Sequence, residues 1–167
     1  MNNKLQFDFI PDKVKNTLTI RREFLAGRRL VWDCYTQSEL LDQWFAPAPL
    51  TTKTKSMDFS EGGHWHYAMV EPNGNEHWGY TQFLKIQPID YYSSTDAFSN
   101  EMGEVNKDLP RAVWLVNFTD KGENTLVESI ISYKSLTDLE KVVEMGMEMG
   151  MTMTLAKLDD LLAKLTK

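Results

Sequence analysis

Short runs of alternating apolar and polar residues, separated by turn residues, cover the chain from Leu50 to Tyr133. Alternation with a period of two is typical of β-strands that bury one face. The clearest pair of runs flanks Asn73-Gly74, a dipeptide that is the strongest short-range signal for a β-hairpin. A second pair flanks the turn at 120–123. This segment therefore predicts about six antiparallel strands.

The pattern changes to a helical period after Tyr133. Apolar residues then recur at steps of three or four towards Lys167, which predicts one long amphipathic helix from Leu136. Gly146 and Gly150 lie within this helix and predict a bend. The stripe expected to face the sheet comprises Leu136, Val143, Met147, Met151, Thr154, Leu158, Leu161 and Leu165.

The chain before Leu50 predicts one strand and two short helices. Apolar and polar residues alternate along Thr17–Leu25, which predicts a first strand. In Arg28–Tyr35 the apolar residues fall on one side of a short helix. Thr36 followed by Glu39 has the form of a capping box, in which the two side chains bond reciprocally to the backbone at a helix start. We therefore expect a second short helix over Ser38–Trp44.

This order of elements predicts an α+β helix-grip fold. A curved antiparallel sheet of about six or seven strands wraps around the long C-terminal helix, with two short helices after the first strand. Because 167 residues fit one domain with a substantial core, we assign residues 17–167 to a single domain. Residues 1–16 are polar with scattered aromatic residues and predict an irregular or edge extension.

The Asn-Gly hairpin also predicts which side chains face the helix. A two-residue loop places Met69 opposite Trp78, and the same register pairs Tyr67 with Tyr80. Directly opposed residues share a face, and a face with so many large aromatic side chains has to be the buried one. Methionine side chains make such a wall adaptable. The residues predicted to line an apolar ligand cavity are Trp44, Trp65, Tyr67, Met69, Trp78, Tyr80, Trp114, Met147 and Met151.

The histidines and the cysteine do not predict a metal or nucleophilic site. The same register places His64, His66 and His77 on the other face of the hairpin and too far apart to share a metal ion, so we interpret them as surface residues. Cys34 lies on the apolar side of a short helix, where a small buried residue is expected. We expect no cofactor and no catalytic group among these residues.

Two carboxylates are candidates for acid–base chemistry. Glu128 lies in a strand between Val127 and Ser129, and Glu140 falls within the angular range of the apolar helix stripe. A carboxylate inside the cavity would have a raised pKa and could act as an acid or a base. A position in solvent at the cavity rim is the alternative for both.

A second apolar stripe follows the other side of the helix, at Val142, Met145, Met149, Met153 and Ala156. A helix that is apolar on two sides either packs against its own protein on both sides or contacts a partner with one of them. One hypothesis is a homodimer or protein partner that binds through Met145, Met149 and Met153. The other is that the N-terminal segment covers this side.

Charge and composition exclude several classes of partner. The net charge is −6 and the pI about 5.1, so a polyanion is repelled and we expect no nucleic-acid partner. Cys34 is the only cysteine, which excludes an intramolecular disulfide. No secretory pattern and no run of about 18 apolar residues occurs, so we expect a cytoplasmic protein without membrane contact.

Several motifs, in order along the chain, resemble the family of activator of heat-shock-protein-90 ATPase homologues, within the START-like (SRPBCC) superfamily. They span about 19–164 and comprise Arg22–Asp33, the Thr36, Glu39, Leu40 and Trp44–Pro47 signature, the Gly-Gly sequence in Asp58–Trp65, Gly79–Pro88 and Gly122–Thr125. Gly27 stands where proline is usual, and Met151 stands where the family often has tryptophan.

The resemblance implies a helix-grip fold with a cavity between the sheet and the long helix, but not one function. Such proteins include co-chaperone domains, carriers of hydrophobic ligands, and cyclase- or hydrolase-like enzymes, and a fold does not determine a function. We therefore carry three hypotheses. The first is a protein that binds a small apolar or amphipathic molecule, and the alternatives are a co-chaperone-like interaction module and an enzyme that uses a cavity carboxylate.

Overall fold

The computed structural model describes residues 5–166 as eight strands and four helices. The strands follow the alternation of the sequence, and the helices follow its longer apolar period. In chain order the elements are β1 (Phe7–Asp12), β2 (Thr17–Phe24), α1 (Arg28–Thr36), α2 (Ser38–Leu41), β3 (Thr51–Met57), β4 (His64–Val70), β5 (Glu76–Gln87), β6 (Tyr91–Ser99), β7 (Ala112–Lys121), β8 (Asn124–Tyr133), α3 (Leu136–Glu144) and α4 (Met147–Leu165).

All eight strands form one antiparallel sheet in the order β1-β2-β8-β7-β6-β5-β4-β3. The predicted α+β helix-grip fold is confirmed, and so are the six strands between Leu50 and Tyr133. The sheet exceeds the expected six or seven strands because Phe7–Asp12 pairs along β2 as an edge strand. Within residues 5–166, no helix is long and apolar enough to cross a membrane.

The predicted register of the β4–β5 hairpin is wrong by one residue. Tyr67 lies opposite Gly79, and Trp78 opposes Ala68 instead of Met69. The loop has three residues, since the N–H of Gly74 donates to the carbonyl of Glu71 at 2.8 Å and Gly74 has a φ of +93°. This is a type I turn followed by a glycine bulge, and the extra residue moves every β5 side chain to the other face.

The capping box is also wrong, although both short helices exist. The hydroxyl of Thr36 donates back to the carbonyl of Trp32 within α1, and Gln37 occupies the position before α2 without a side-chain cap. A threonine hydroxyl can satisfy a carbonyl of the preceding turn instead of starting a new helix. The α2 helix is correspondingly shorter than predicted and ends at Leu41.

The C-terminal helix divides in two at Gly146, close to one of the predicted bends. Gly146 has a φ of +90°, a left-handed conformation that glycine adopts at little cost and that ends α3. Beyond it, α4 runs along the concave face of the sheet. Its buried residues are Thr154, Leu155, Leu158, Leu161 and Leu162, whereas Leu136 and Leu165, which we expected to face the sheet, are exposed.

Candidate functional site

Two adjacent chambers, which share part of their lining, lie between the concave face of the sheet and α4. The outer chamber has a volume of about 380 Å³, and the inner chamber has about 70 Å³. The residues common to both chambers are Phe45, Tyr67, Asp96, Trp114 and Met151. These five residues form the junction at which the two chambers adjoin.

The inner chamber is the smaller of the two, and aromatic residues form half of its lining. Trp44 is 1% exposed, and its indole N–H donates to the carbonyl of Cys34 at 2.9 Å. Phe45 packs edge-on against Trp65 with ring centroids 4.9 Å apart, and Trp65 stacks on Tyr67 at 3.9 Å. Edge-on and offset contacts between rings fix their orientation, so this end has a defined shape.

The outer chamber opens to solvent where α3 meets α4. Its rim includes Met145 and Phe98, which are 57% and 37% exposed. Gly146 and Gly150 also line it, and a Cβ atom added at Gly150 would meet nothing within 4 Å. The absence of side chains at these glycines leaves open space at this end of the outer chamber.

Most of the residues predicted to line a cavity do line one of these chambers. Trp44 and Trp65 line the inner chamber. The residues that line the outer chamber or both chambers are Tyr67, Met69, Trp78, Trp114, Met147 and Met151. Whether any of them contacts a ligand stays a prediction.

Tyr80 is the predicted residue that lines no chamber. Trp78 lines the outer chamber, but not from the face of the sheet that we predicted. Because the hairpin register differs, both rings lie on the outer face of the sheet, where their centroids are 5.6 Å and 4.9 Å from that of His66. Tyr80 lines neither chamber. Thr81 takes its place on the concave face, directly opposite Trp65.

Asp96 is the polar centre of the junction and was missed by the sequence analysis. Its Oδ2 accepts a hydrogen bond from the indole N–H of Trp114 at 2.7 Å, and its Oδ1 accepts from the N–H of Ala112 at 3.2 Å. Burial raises the pKa of the Asp96 carboxyl to about 6, and the two hydrogen bonds oppose this rise. The group is therefore ionised at neutral pH but close to its titration range.

Several neutral hydroxyl groups accompany Asp96. Thr81, Ser94 and Ser129 are buried and line the inner chamber. Burial raises the pKa of Tyr67 and of Tyr133 well above the usual range, and the charge of Asp96 adds to both shifts. Both phenols therefore stay neutral and can donate or accept hydrogen bonds.

The two carboxylates proposed for acid–base chemistry are not in the cavity. Glu128 lies on the outer face of β8 and accepts from Nε of Arg21 at 2.8 Å. Glu140 lies 3.5 Å from Lys13 and is 46% exposed. The enzyme hypothesis in its original form is wrong, because the helix turns Glu140 towards solvent and strand alternation turns Glu128 outward.

The histidines and Cys34 occupy structural positions. His64 lies 2.7 Å from the hydroxyl of Ser56. The interpretation of His66 as a surface residue is wrong, because its ring packs with those of Trp78 and Tyr80 and is 5% exposed; its Nε2 lies 2.9 Å from the carbonyl of Asn100. His77, which we placed on the outer face, instead lines the rim of the outer chamber. Cys34 is fully buried and burial raises its pKa to about 11, so its thiol stays protonated. Residues 5–166 contain no group of three or more metal-ligating side chains.

The three methionines of the second apolar stripe are exposed. Met149 is 72% exposed, Met145 57% and Met153 38%. From Leu5 onward, the N-terminal segment forms β1 at the sheet edge instead of covering these residues, and residues 1–4 lie outside the described residues. A homodimer or protein partner at this stripe stays a prediction.

Comparison with known families and structures gives consistent matches. The family model described as activator of Hsp90 ATPase homolog 1-like protein matches residues 26–163. No functionally curated protein matches the chain.

The similar solved structures cover nearly the whole chain. A protein from Arthrobacter aurescens has a TM-score of 0.88 and 26% identity, over 94% of this chain and 91% of its own. Protein Ms6760 from Mycobacterium smegmatis has a TM-score of 0.86 and 27% identity, over 95% and 97%. A protein from Staphylococcus epidermidis has a TM-score of 0.81 and 28% identity, over 92% and 93%.

Proposed function

The chain belongs to the activator of Hsp90 ATPase homolog 1-like family, within the START-like superfamily, and we propose that its two chambers bind one small amphipathic molecule. The observation that carries the proposal is the pair of adjacent chambers with an exposed rim at one end. Ligand sites are typically concave and largely apolar, with a few polar groups that fix orientation.

The size of the outer chamber supports this proposal. Its volume of about 380 Å³ falls within the range of roughly 300–1,000 Å³ that is usual for small-molecule sites. A well-packed core leaves few voids larger than a water molecule, so a cleft of this size is more space than packing alone leaves. An elongated ligand would occupy the outer chamber and extend one end past the junction.

The walls are suited to an apolar body. We propose Trp65, Tyr67, Met69, Trp114, Met147 and Met151 as contact residues, with Trp44 closing the inner end. Aromatic rings offer rigid apolar surface, and the flexible methionine side chains of α4 can adjust to different shapes. The neutral hydroxyl groups and Asp96 supply the polar contacts.

Filling the outer chamber should block binding. We expect Gly150→Leu to weaken binding of the neutral fluorescent probe N-phenyl-1-naphthylamine by about tenfold or more, because the new side chain projects from a lining position into open space. Ala163→Leu is the matched control, since Ala163 is exposed on the same helix and lines neither chamber. Its affinity should stay within about twofold of the wild type.

The titration is followed by the fluorescence of the probe, with circular dichroism to confirm that each variant is folded. Equal affinity for both folded variants, or no saturable binding by the wild-type protein, would contradict the proposed function.

A further inference from the structure

We infer that the bound molecule carries a protonated amine or quaternary ammonium group, which lies against Asp96 while the apolar body of the molecule lies against the aromatic and methionine walls. This inference rests on the proposed function and names the class of ligand for the same site.

The charge of the lining residues is the first support. Among the residues described along both chambers, Asp96 is the only carboxylate, and there is no lysine or arginine. Within residues 5–166, Asp96 also takes part in no ion pair. A charge removed from water is costly unless an opposite charge or hydrogen bonds compensate it. The charge of Arg111 acts on Asp96 but forms no ion pair with it, so a cationic ligand would supply an opposite charge in direct contact.

The geometry of Asp96 leaves acceptor capacity free. Each carboxylate oxygen accepts one N–H, from Trp114 at Oδ2 and from Ala112 at Oδ1. An ionised carboxylate can accept about four hydrogen bonds, so lone pairs remain for a ligand. Both donors come from β7, the strand next to β6, and they hold the carboxylate at the junction of the two chambers.

The aromatic residues around the carboxylate favour the same chemistry. Phe45, Tyr67 and Trp114 line both chambers together with Asp96, and Tyr133 lines the outer chamber. The face of an aromatic ring attracts a cation by its quadrupole, most strongly where water is excluded. A carboxylate surrounded by aromatic rings recognises an ammonium group and repels an anion such as a fatty-acid carboxylate.

The dependence of binding on pH follows from the ionisation of Asp96. The pKa of this carboxyl is about 6, so its negative charge is present above that pH and is lost as the pH falls through it. Tyr67 and Tyr133 stay neutral in this range, and Arg111 is the cation whose charge acts on Asp96. His77 is the remaining titratable group, and it lies at the rim beside Glu71. A neutral ligand measured over the same pH range controls for it.

The test compares three ligands of equal shape: 4-phenylbutylamine, 4-phenylbutan-1-ol and 4-phenylbutyrate. Each displaces N-phenyl-1-naphthylamine from the wild-type protein and from Asp96→Asn. At pH 7 we expect the amine to bind at least about tenfold more tightly than the alcohol, and the carboxylate most weakly, since only the ammonium group forms a hydrogen bond with Asp96 in which both partners are charged. In Asp96→Asn the preference for the amine should disappear, while the alcohol keeps its affinity within about threefold.

The pH series on the wild-type protein gives an independent readout if Asp96→Asn does not fold. Between pH 8 and pH 5 the affinity for the amine should fall about tenfold, and that for the alcohol should stay constant. Equal affinities for all three ligands, at every pH, would overturn the inference and leave the proposed function standing. Failure of all three ligands to displace a bound probe would likewise overturn the inference alone, whereas failure of the wild-type protein to bind the probe at all would overturn both.

Discussion

Replacing Trp44 with alanine is expected to lower the free energy of unfolding by about 3–5 kcal/mol. Trp44 is 1% exposed, and its ring packs against Tyr35 and Phe45 with centroids 4.9 Å and 5.4 Å away. Its removal forfeits this apolar burial and leaves a cavity beside the inner chamber. It also removes the hydrogen bond to the carbonyl of Cys34, which would then be buried without this partner.

Urea unfolding followed by circular dichroism measures this loss. Trp44→Phe is the matched variant, since it keeps an aromatic ring and loses the N–H donor. We expect it to cost about 1–3 kcal/mol, the penalty of an unsatisfied buried acceptor. A Trp44→Ala protein within about 1 kcal/mol of the wild type would show that this residue is not part of the core.

The second large effect is expected at Gly63. A Cβ atom at this position would lie 2.1 Å from the carbonyl oxygen of Asp58, far inside van der Waals contact. That carbonyl cannot move away easily, because it accepts hydrogen bonds from Ser60 and His64 at 3.0 Å each. Gly63 is itself held between Ser60 and Phe83 by backbone hydrogen bonds. We expect Gly63→Ala to destabilise the protein by about 3 kcal/mol or more.

Gly62→Ala is the control for this substitution. Gly62 has a φ of +87°, but a Cβ atom there would meet nothing within 4 Å. The only cost of Gly62→Ala is therefore that of holding an alanine in the left-handed backbone conformation, about 1–2 kcal/mol of stability. The expected order of thermal stability is therefore wild type, then Gly62→Ala, then Gly63→Ala. The reverse order of the two variants would contradict the steric explanation.

The fold and the family were predictable from the sequence because the relevant signals are local. Alternation along each strand and the apolar period of the C-terminal helix identify the elements, and the motif order identifies the family. The hairpin register was predictable only in part. Pro72-Asn73-Gly74 also fits a type I turn with proline first and a left-handed glycine last, and that signal outweighs the shorter Asn-Gly loop.

The junction carboxylate was not predictable in the same way. Alternation from Tyr92 and Ser94 places Asp96 on the concave face. Its burial depends on β7 and on α4, which are distant in sequence, and its two N–H donors come from Trp114 and Ala112. A single strand pattern carries no information about such long-range partners. For the same reason, the pattern of β8 alone could not show that Glu128 pairs with Arg21 on the outer face of the sheet.

The methionine methyl groups can report directly on whether a small molecule binds inside the chambers. Met69, Met145, Met147 and Met151 line the outer chamber. Met102, Met149 and Met153 line neither chamber and are exposed. These two sets allow a methyl NMR titration to distinguish binding in the chambers from binding on the surface.

The measurement is a titration of protein labelled with ¹³C at the methionine methyl groups, with N-phenyl-1-naphthylamine as the ligand. If the ligand binds in the chambers, we expect saturable changes in the methyl chemical shifts of Met69, Met147 and Met151, because an aromatic ligand in the outer chamber would lie next to them. The signals of Met102 and Met149 should change little. Shifts confined to Met149 and Met153, or no shift at saturating ligand, would contradict the claim that the chambers are a binding site.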